Sequence, residues 1–169
     1  MNESMMDRVP PHNHEAEQSV IGAIFLEPQA LITASEILMP DDFYRTAHQK
    51  IFQTMIRLSD QGKAIDVVTV TEELSAKKEL EDVGGLSYLS ELANAVPTAA
   101  NIAHYAKIVE EKALLRRLIR TATKIVEDGY TREDEVEVLL SEAEKKMMEV
   151  ANRKNAGDFK HVKDVLVQT

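Results

Sequence analysis

The chain has 169 residues, and 20 Lys+Arg against 29 Asp+Glu leave a formal charge of −9. Hydrophobic residues at 44% and charged residues at 29% describe a folded globular protein, with no apolar run near the ~18 residues of a membrane span and a polar N-terminus unlike a signal peptide. The absence of Cys excludes disulfides, thiolate metal sites and thiol nucleophiles, and an acidic chain with 5% aromatics is poorly suited to gripping phosphates or stacking bases.

Residues 1–12 read as a polar, flexible tail ending in Pro10-Pro11. Asn13 then stands as an N-cap before His14-Glu15-Ala16-Glu17-Gln18, with acidic residues in the first turn. Ala16, Val20, Ala23, Ile24 and Phe25 recur at helical spacing, which predicts a helix over 14–26. Pro28 suits the first position of a second helix carrying Leu31, Ile32, Ile37 and Leu38, closed by Pro40. Asp41-Asp42-Phe43-Tyr44 reads as a turn. A third helix follows with Ile51, Phe52, Met55, Ile56 and Leu58, until Gly62. The β-branched run Val67 to Thr71 has strand character, but Glu72-Glu73-Leu74 continues it helically and no partner strand is in view, so it reads as a short helix. After the Gly84-Gly85 break, Leu86, Leu89, Ala93 and Val96 mark a fifth helix stopped by Pro97.

From Ala99 the pattern lengthens. About thirty residues run without Gly or Pro until Gly129, read as a helix C-terminus, and Thr131 with Asp134 reads as the cap of a second arm. The predicted fold is all-α: a tail (1–12), a compact bundle of short helices (13–98), a long antiparallel helical hairpin (99–152), and the start of a linker (153–169) in which Phe159, Val162, Val165 and Leu166 begin a new apolar stripe.

At about 100° per residue, Leu114, Leu115, Leu118, Ile119, Ala122, Ile125 and Val126 share an arc of roughly 140°, with Arg116, Arg117, Arg120 and Lys124 opposite. The second arm offers only a narrow seam of Val136, Leu140, Ala143, Met147 and Val150. A narrow seam cannot cover a wide arc. The surplus either packs on the chain's own bundle or forms a subunit or partner interface, and the second reading is the stronger. From Lys107 to Lys124 there are six basic and two acidic residues; from Glu127 to Glu149 there are nine acidic and three basic. The −9 is therefore concentrated in one arm, set against a basic one.

No catalytic constellation emerges. The six glycines supply neither a P-loop nor a G-x-G-x-x-G turn, so no nucleotide site can be placed. His12-x-His14 lacks metal-site spacing, and His48 and His104 fall inside helices, where a packed or capping imidazole is the ordinary role. The cluster Glu133, Asp134, Glu135 and Glu137 suits a helix start. Ser and Thr residues lack a neighbouring His base.

Several segments in order carry a resemblance: Pro11-His12-Asn13-His14-Glu15-Ala16-Glu17-Gln18-Ser19-Val20-Ile21-Gly22-Ala23, then Asp42-Phe43-Tyr44 with His48, Ile51 and Phe52, Ile65-Asp66 with Thr69, Gly84-Gly85-Leu86-Ser87-Tyr88-Leu89, and Pro97 through Val109. Over about residues 9–152 the chain resembles the N-terminal domain of bacterial replicative DNA helicases of the DnaB type. The resemblance implies a helical collar that assembles on a hexameric ring, as dimers or trimers of dimers, and docks the C-terminal domain of primase. It also implies that ATP and Mg belong to a motor domain absent from these residues, so this portion would be non-catalytic, with little direct DNA binding. A cytoplasmic location and no membrane contact follow. Candidate primase contacts are Tyr88, whose hydroxyl is expected in water, with Ile119 and Ile125 at the edges of the wide arc. Candidate oligomer-interface residues are Leu114, Leu115, Leu118, Ala122 and Val126. The alternative reading is the helicase-binding domain at the C-terminus of primase, which shares the bundle-plus-hairpin design.

Overall fold

The computed structural model describes residues 8–167, with side chains as far as Asn152. Among these residues there are seven α-helices and no strand: α1 (His14–Leu26), α2 (Ala30–Ile37), α3 (Thr46–Asp60), α4 (Val67–Ala76), α5 (Gly85–Ala93), α6 (Ile102–Thr131) and α7 (Val136–Val167). The all-α prediction holds, and so does the helical reading of the β-branched run. Asp66 secures it as the cap of α4: its carboxylate accepts from Thr69 N at 2.8 Å while the Thr69 hydroxyl accepts from Asp66 N at 3.0 Å. Satisfying both ends of that turn outweighs the modest β preference of Val and Thr.

Some boundaries move. Pro28 lies in a turn before α2, and α5 ends at Ala93, short of Pro97. α6 passes through Gly129 and ends at Thr131, whose hydroxyl bonds back to Glu127 O at 2.7 Å. Thr131 therefore closes the first arm instead of capping the second. The backbone of α7 continues without interruption beyond Arg153 to Val167. The side chains of the apolar stripe from Phe159 lie outside the described residues, as does the tail over 1–7.

The chain divides by contacts into two compact units, and the first is His12–Ala113. Its core is built on Val20, Ile21, Ile24, Phe43, Ile51, Phe52, Met55, Leu74, Leu89 and Leu92. The division falls after Ala113, not at 98, because Ile102, Ala106 and Val109 on the first turns of α6 are buried in that same core. Two helices approach closely: a Cβ on Gly22 of α1 would stand 2.7 Å from the Leu92 carbonyl oxygen of α5.

The second unit holds the rest of the hairpin from Leu114. Here Arg116 also donates to the carbonyl of Pro11 at 2.9 Å. The arms are antiparallel, since Asp128 pairs with Lys146 at 3.1 Å and, further along the first arm, Arg132 pairs with Glu142 earlier on the second.

Candidate functional site

In the globular unit a polar chain runs through the interior. Asn13 caps α1 by accepting from Ala16 N at 2.9 Å, which starts the helix so that Glu17 falls on the same stripe as Val20, Ile21 and Ile24. Glu17 is 1% exposed and His48 0%. A carboxylate so enclosed needs donors. Three reach it: Tyr44 N at 2.8 Å, Arg45 N at 3.4 Å, and the His48 ring through Nδ1 at 2.7 Å. On the other side of the ring, His48 Nε2 meets the Tyr88 hydroxyl at 2.7 Å, and Gln18 Nε2 donates to that same hydroxyl at 3.1 Å. One proton arrangement satisfies every atom. His48 donates from Nδ1 to Glu17 and accepts at Nε2 from Tyr88, whose oxygen accepts from Gln18.

Tyr88 is half-buried with its hydroxyl bonded on both sides, which corrects the expectation of a phenol open to water. The order carboxylate, imidazole, hydroxyl is that of a nucleophilic triad. The chemistry is not, because burial holds the Tyr88 phenol above its ordinary value of 10.0, the opposite of an activated nucleophile. Stacking completes the cluster: the His14 and Tyr88 rings each stack with the His48 ring, at 5.4 and 5.9 Å between centroids, and His12 stacks on Tyr44 at 4.2 Å. Burial first, then the Arg45 guanidinium, hold His14 below 6.5. The network joins α1, α3 and α5, so its role is to fix the bundle. His48 is packed as expected; His104 is exposed. Glu17 was legible only as a first-turn acid, although its place on the Val20/Ile21/Ile24 stripe signals a buried carboxylate.

The second feature is the hairpin surface. Leu115, Leu118, Ile119 and Val126 are 43%, 39%, 49% and 46% exposed, and Ala122 is exposed beside them. Leu114 and Ile125 are half-buried, nearer the line where the arms meet. On the second arm Ala143 and Val150 are half-buried as the seam predicted, but Val136 and Leu140 are 70% and 64% exposed and Met147 also faces outward. The reason is polar: Glu142 and Lys146 occupy the space between the arms, where they pair with Arg132 and Asp128. Lys146, and then Lys124, hold the Asp128 carboxyl below its ordinary range, while Glu142 and then Asp134 raise Arg132. Because the arms are antiparallel, Val136, Leu140 and Met147 fall on the flank of Leu118, Ala122 and Val126. The hairpin thus keeps ion pairs between its arms and turns an apolar face outward. Of the predicted residues, Leu115, Leu118, Ile119, Ala122 and Val126 share this face; Tyr88 belongs to the globular unit.

Residues 9–111 match the family described as "DnaB-like helicase N terminal domain". The chain is 64% identical over its whole length to the replicative DNA helicase DnaB of Geobacillus stearothermophilus and 66% identical to the replicative DNA helicase DnaC of Bacillus subtilis (strain 168). In each case it spans 37% of the relative's length. Among solved structures, the N-terminal domain of DnaB helicase from Mycobacterium tuberculosis superposes with a TM-score of 0.80 at 40% identity, covering 83% of this chain and 99% of that one. A structure of a DnaB-like replicative helicase and its interactions with primase matches with a TM-score of 0.68 at 28% identity, over 82% of this chain and 31% of that one. These matches fall on the helicase side and do not favour the primase-domain alternative.

Proposed function

This chain belongs to the family of DnaB-like helicase N-terminal domains, and from that premise we propose that it is a non-catalytic collar module of a hexameric replicative helicase, pairing copies and docking primase. The observation that carries this reading is the outward apolar face on the hairpin, made of Leu115, Leu118, Ala122 and Val126 with Leu140 and Met147. Withdrawing a half-exposed Leu or Val from water contributes on the order of 1 kcal/mol each, so pairing two such faces gives a substantial association energy. Leu114 lies at the inner edge and adds little new surface. Ile119 and Ile125, at the two edges of the arc, are left to contact primase, and Tyr88 offers a ring edge instead of a hydroxyl.

ATP hydrolysis and unwinding, with their ATP and Mg, are assigned to the part of the relatives' length that this chain does not span. Direct DNA contact is slight, because the acidic second arm lies beside the basic first one. No described helix is long and apolar enough to cross a membrane.

Mass-resolved titration with the primase C-terminal domain tests the reading. Self-associated species that bind primase are expected. A chain that stays monomeric and binds no primase would sink it.

A further inference from the structure

In the hairpin the apolar stripes and the line of contact do not coincide. At about 100° per residue, the apolar arc of α6 is centred roughly 80° away from the seam, which runs through Asp128, Thr121 and Arg132. On α7, the stripe of Leu139, Ala143 and Val150 with Val136, Leu140 and Met147 is centred roughly 50° from a seam that includes Glu142 and Lys146. Because the arms are antiparallel, both offsets fall on the same flank. Apolar burial alone would centre both stripes between the arms. Four charged groups stand there instead.

These groups form a connected set. Asp128, whose side chain is 12% exposed, binds Lys146 across the arms at 3.1 Å and Lys124 on its own helix at 3.3 Å. One turn on, Arg132 lies 4.0 Å from Asp128, donates to Asp134 through Nε at 2.6 Å, and pairs with Glu142 of the other arm. Charge therefore alternates from Lys146 through Asp128 and Arg132 to Glu142. An isolated exposed pair contributes little, but here one member is enclosed. Turning α7 to centre its stripe would carry Lys146 and Glu142 away, leaving the Asp128 carboxylate without its cross-arm cation.

We propose that this four-residue ionic clasp is the register key of the hairpin: it holds both arms turned, keeps their apolar stripes on one outer flank, and so creates the face that a second copy covers. The assignment rests on the pairing reading above and adds what controls that face. With the clasp closed, Leu118 and Val126 of α6 share a flank with Leu140 and Met147 of α7. With it open, the stripes turn toward each other and the face is withdrawn. Polar groups in a helical seam commonly select one register over others of similar apolar content.

The full chain contains no Cys, so Leu140→Cys, at a position 64% exposed, adds a single thiol whose maleimide labelling reads the outward turn of α7. Labelling is measured at a dilution where copies are apart, and sedimentation velocity of the same proteins without the added thiol reads pairing. Asp128→Asn/Glu142→Gln neutralises both carboxylates at constant size, and Arg132→Gln/Lys146→Gln removes both cations. Each double variant is expected to keep its helical circular dichroism, to slow labelling several-fold, and to weaken self-association tenfold or more. Unchanged labelling in both variants overturns the clasp, whatever happens to pairing. Slower labelling with unchanged self-association overturns its link to the pairing face. Loss of helical dichroism in both variants would make the clasp a requirement for folding and also overturns the proposal. A chain that stays monomeric with the clasp intact overturns the pairing reading itself, while slower labelling in the variants still upholds the clasp.

Discussion

The carboxylate of Glu17 and the imidazole of His48, 31 residues apart in sequence, meet at 2.7 Å with the His48 ring wholly buried. The same carboxylate takes the backbone N–H groups that precede α3, so one side chain sets the start of one helix against the first turns of another.

Replacing Glu17 with Ala strands the Tyr44 amide and the His48 ring in the interior. Leaving buried donors unpaired costs about 1–3 kcal/mol each, so Glu17→Ala is expected to lose roughly 3 kcal/mol in urea unfolding. Glu17→Gln, which keeps an acceptor, loses less. The Glu17→Ala/His48→Ala double variant loses less than the sum of the two single ones, because both remove the same bond. Additive losses would mean that the pair contributes nothing jointly.

The stacked histidines predict a pH dependence. His14 is held below 6.5 in the folded state, by burial first and then by Arg45, with Glu17 opposing. The unfolded chain therefore takes up this proton first. The contribution is fully present above about pH 6.5, declines as pH falls through the window below it, and levels off under the folded value. Urea midpoints for His14→Gln are expected to fall less between about pH 7.5 and 5.5 than those of the unmodified chain. Parallel curves would place His14 outside the balance.

Two glycines predict opposite signs. Gly22→Ala puts a methyl 2.7 Å from Leu92 O and 3.0 Å from the Ala95 Cβ, which forces α1 from α5 and is expected to cost about 1–3 kcal/mol. Gly129 sits inside α6 with nothing within 4 Å of an added Cβ, so Gly129→Ala is expected to stabilise by up to about 1 kcal/mol. Thermal unfolding of both variants separates close packing from helix propensity, and shifts of the same sign would contradict the assignment.

Replacing Ile119 and Ile125 with polar residues is expected to weaken primase binding or assembly while leaving helicity intact. Ile119 is about half exposed and Ile125 half-buried, so Ile119 is the better probe of contact and Ile125 carries some packing cost. Unchanged affinity and unchanged oligomer size in both would remove these residues from the surface.

The helices were legible because their signals are local. Asn13 and Asp66 announce helix starts, and the apolar spacing of α3 and α6 marks their faces. The wide arc on α6 was legible as surplus for the same reason, and its exposure follows from it. What the sequence hid were long-range polar pairings. Glu17 looks like any first-turn acid until His48 and the Tyr44 amide arrive from α3 and the turn before it. Tyr88 leaves the apolar stripe of α5, which suggests water, but its hydroxyl finds Gln18 and His48. The second arm misled similarly: apolar periodicity nominates Val136, Leu140 and Met147 for the seam, whereas Arg132 and Asp128 draw Glu142 and Lys146 into it.

Sedimentation velocity of the chain alone, across a wide concentration range, tests the central claim that the outward apolar face pairs copies. The account predicts species above a monomer that revert to monomers when Leu118 and Val126 are replaced by Glu, with helical content unchanged. A strict monomer at every concentration, or self-association indifferent to both replacements, would contradict it.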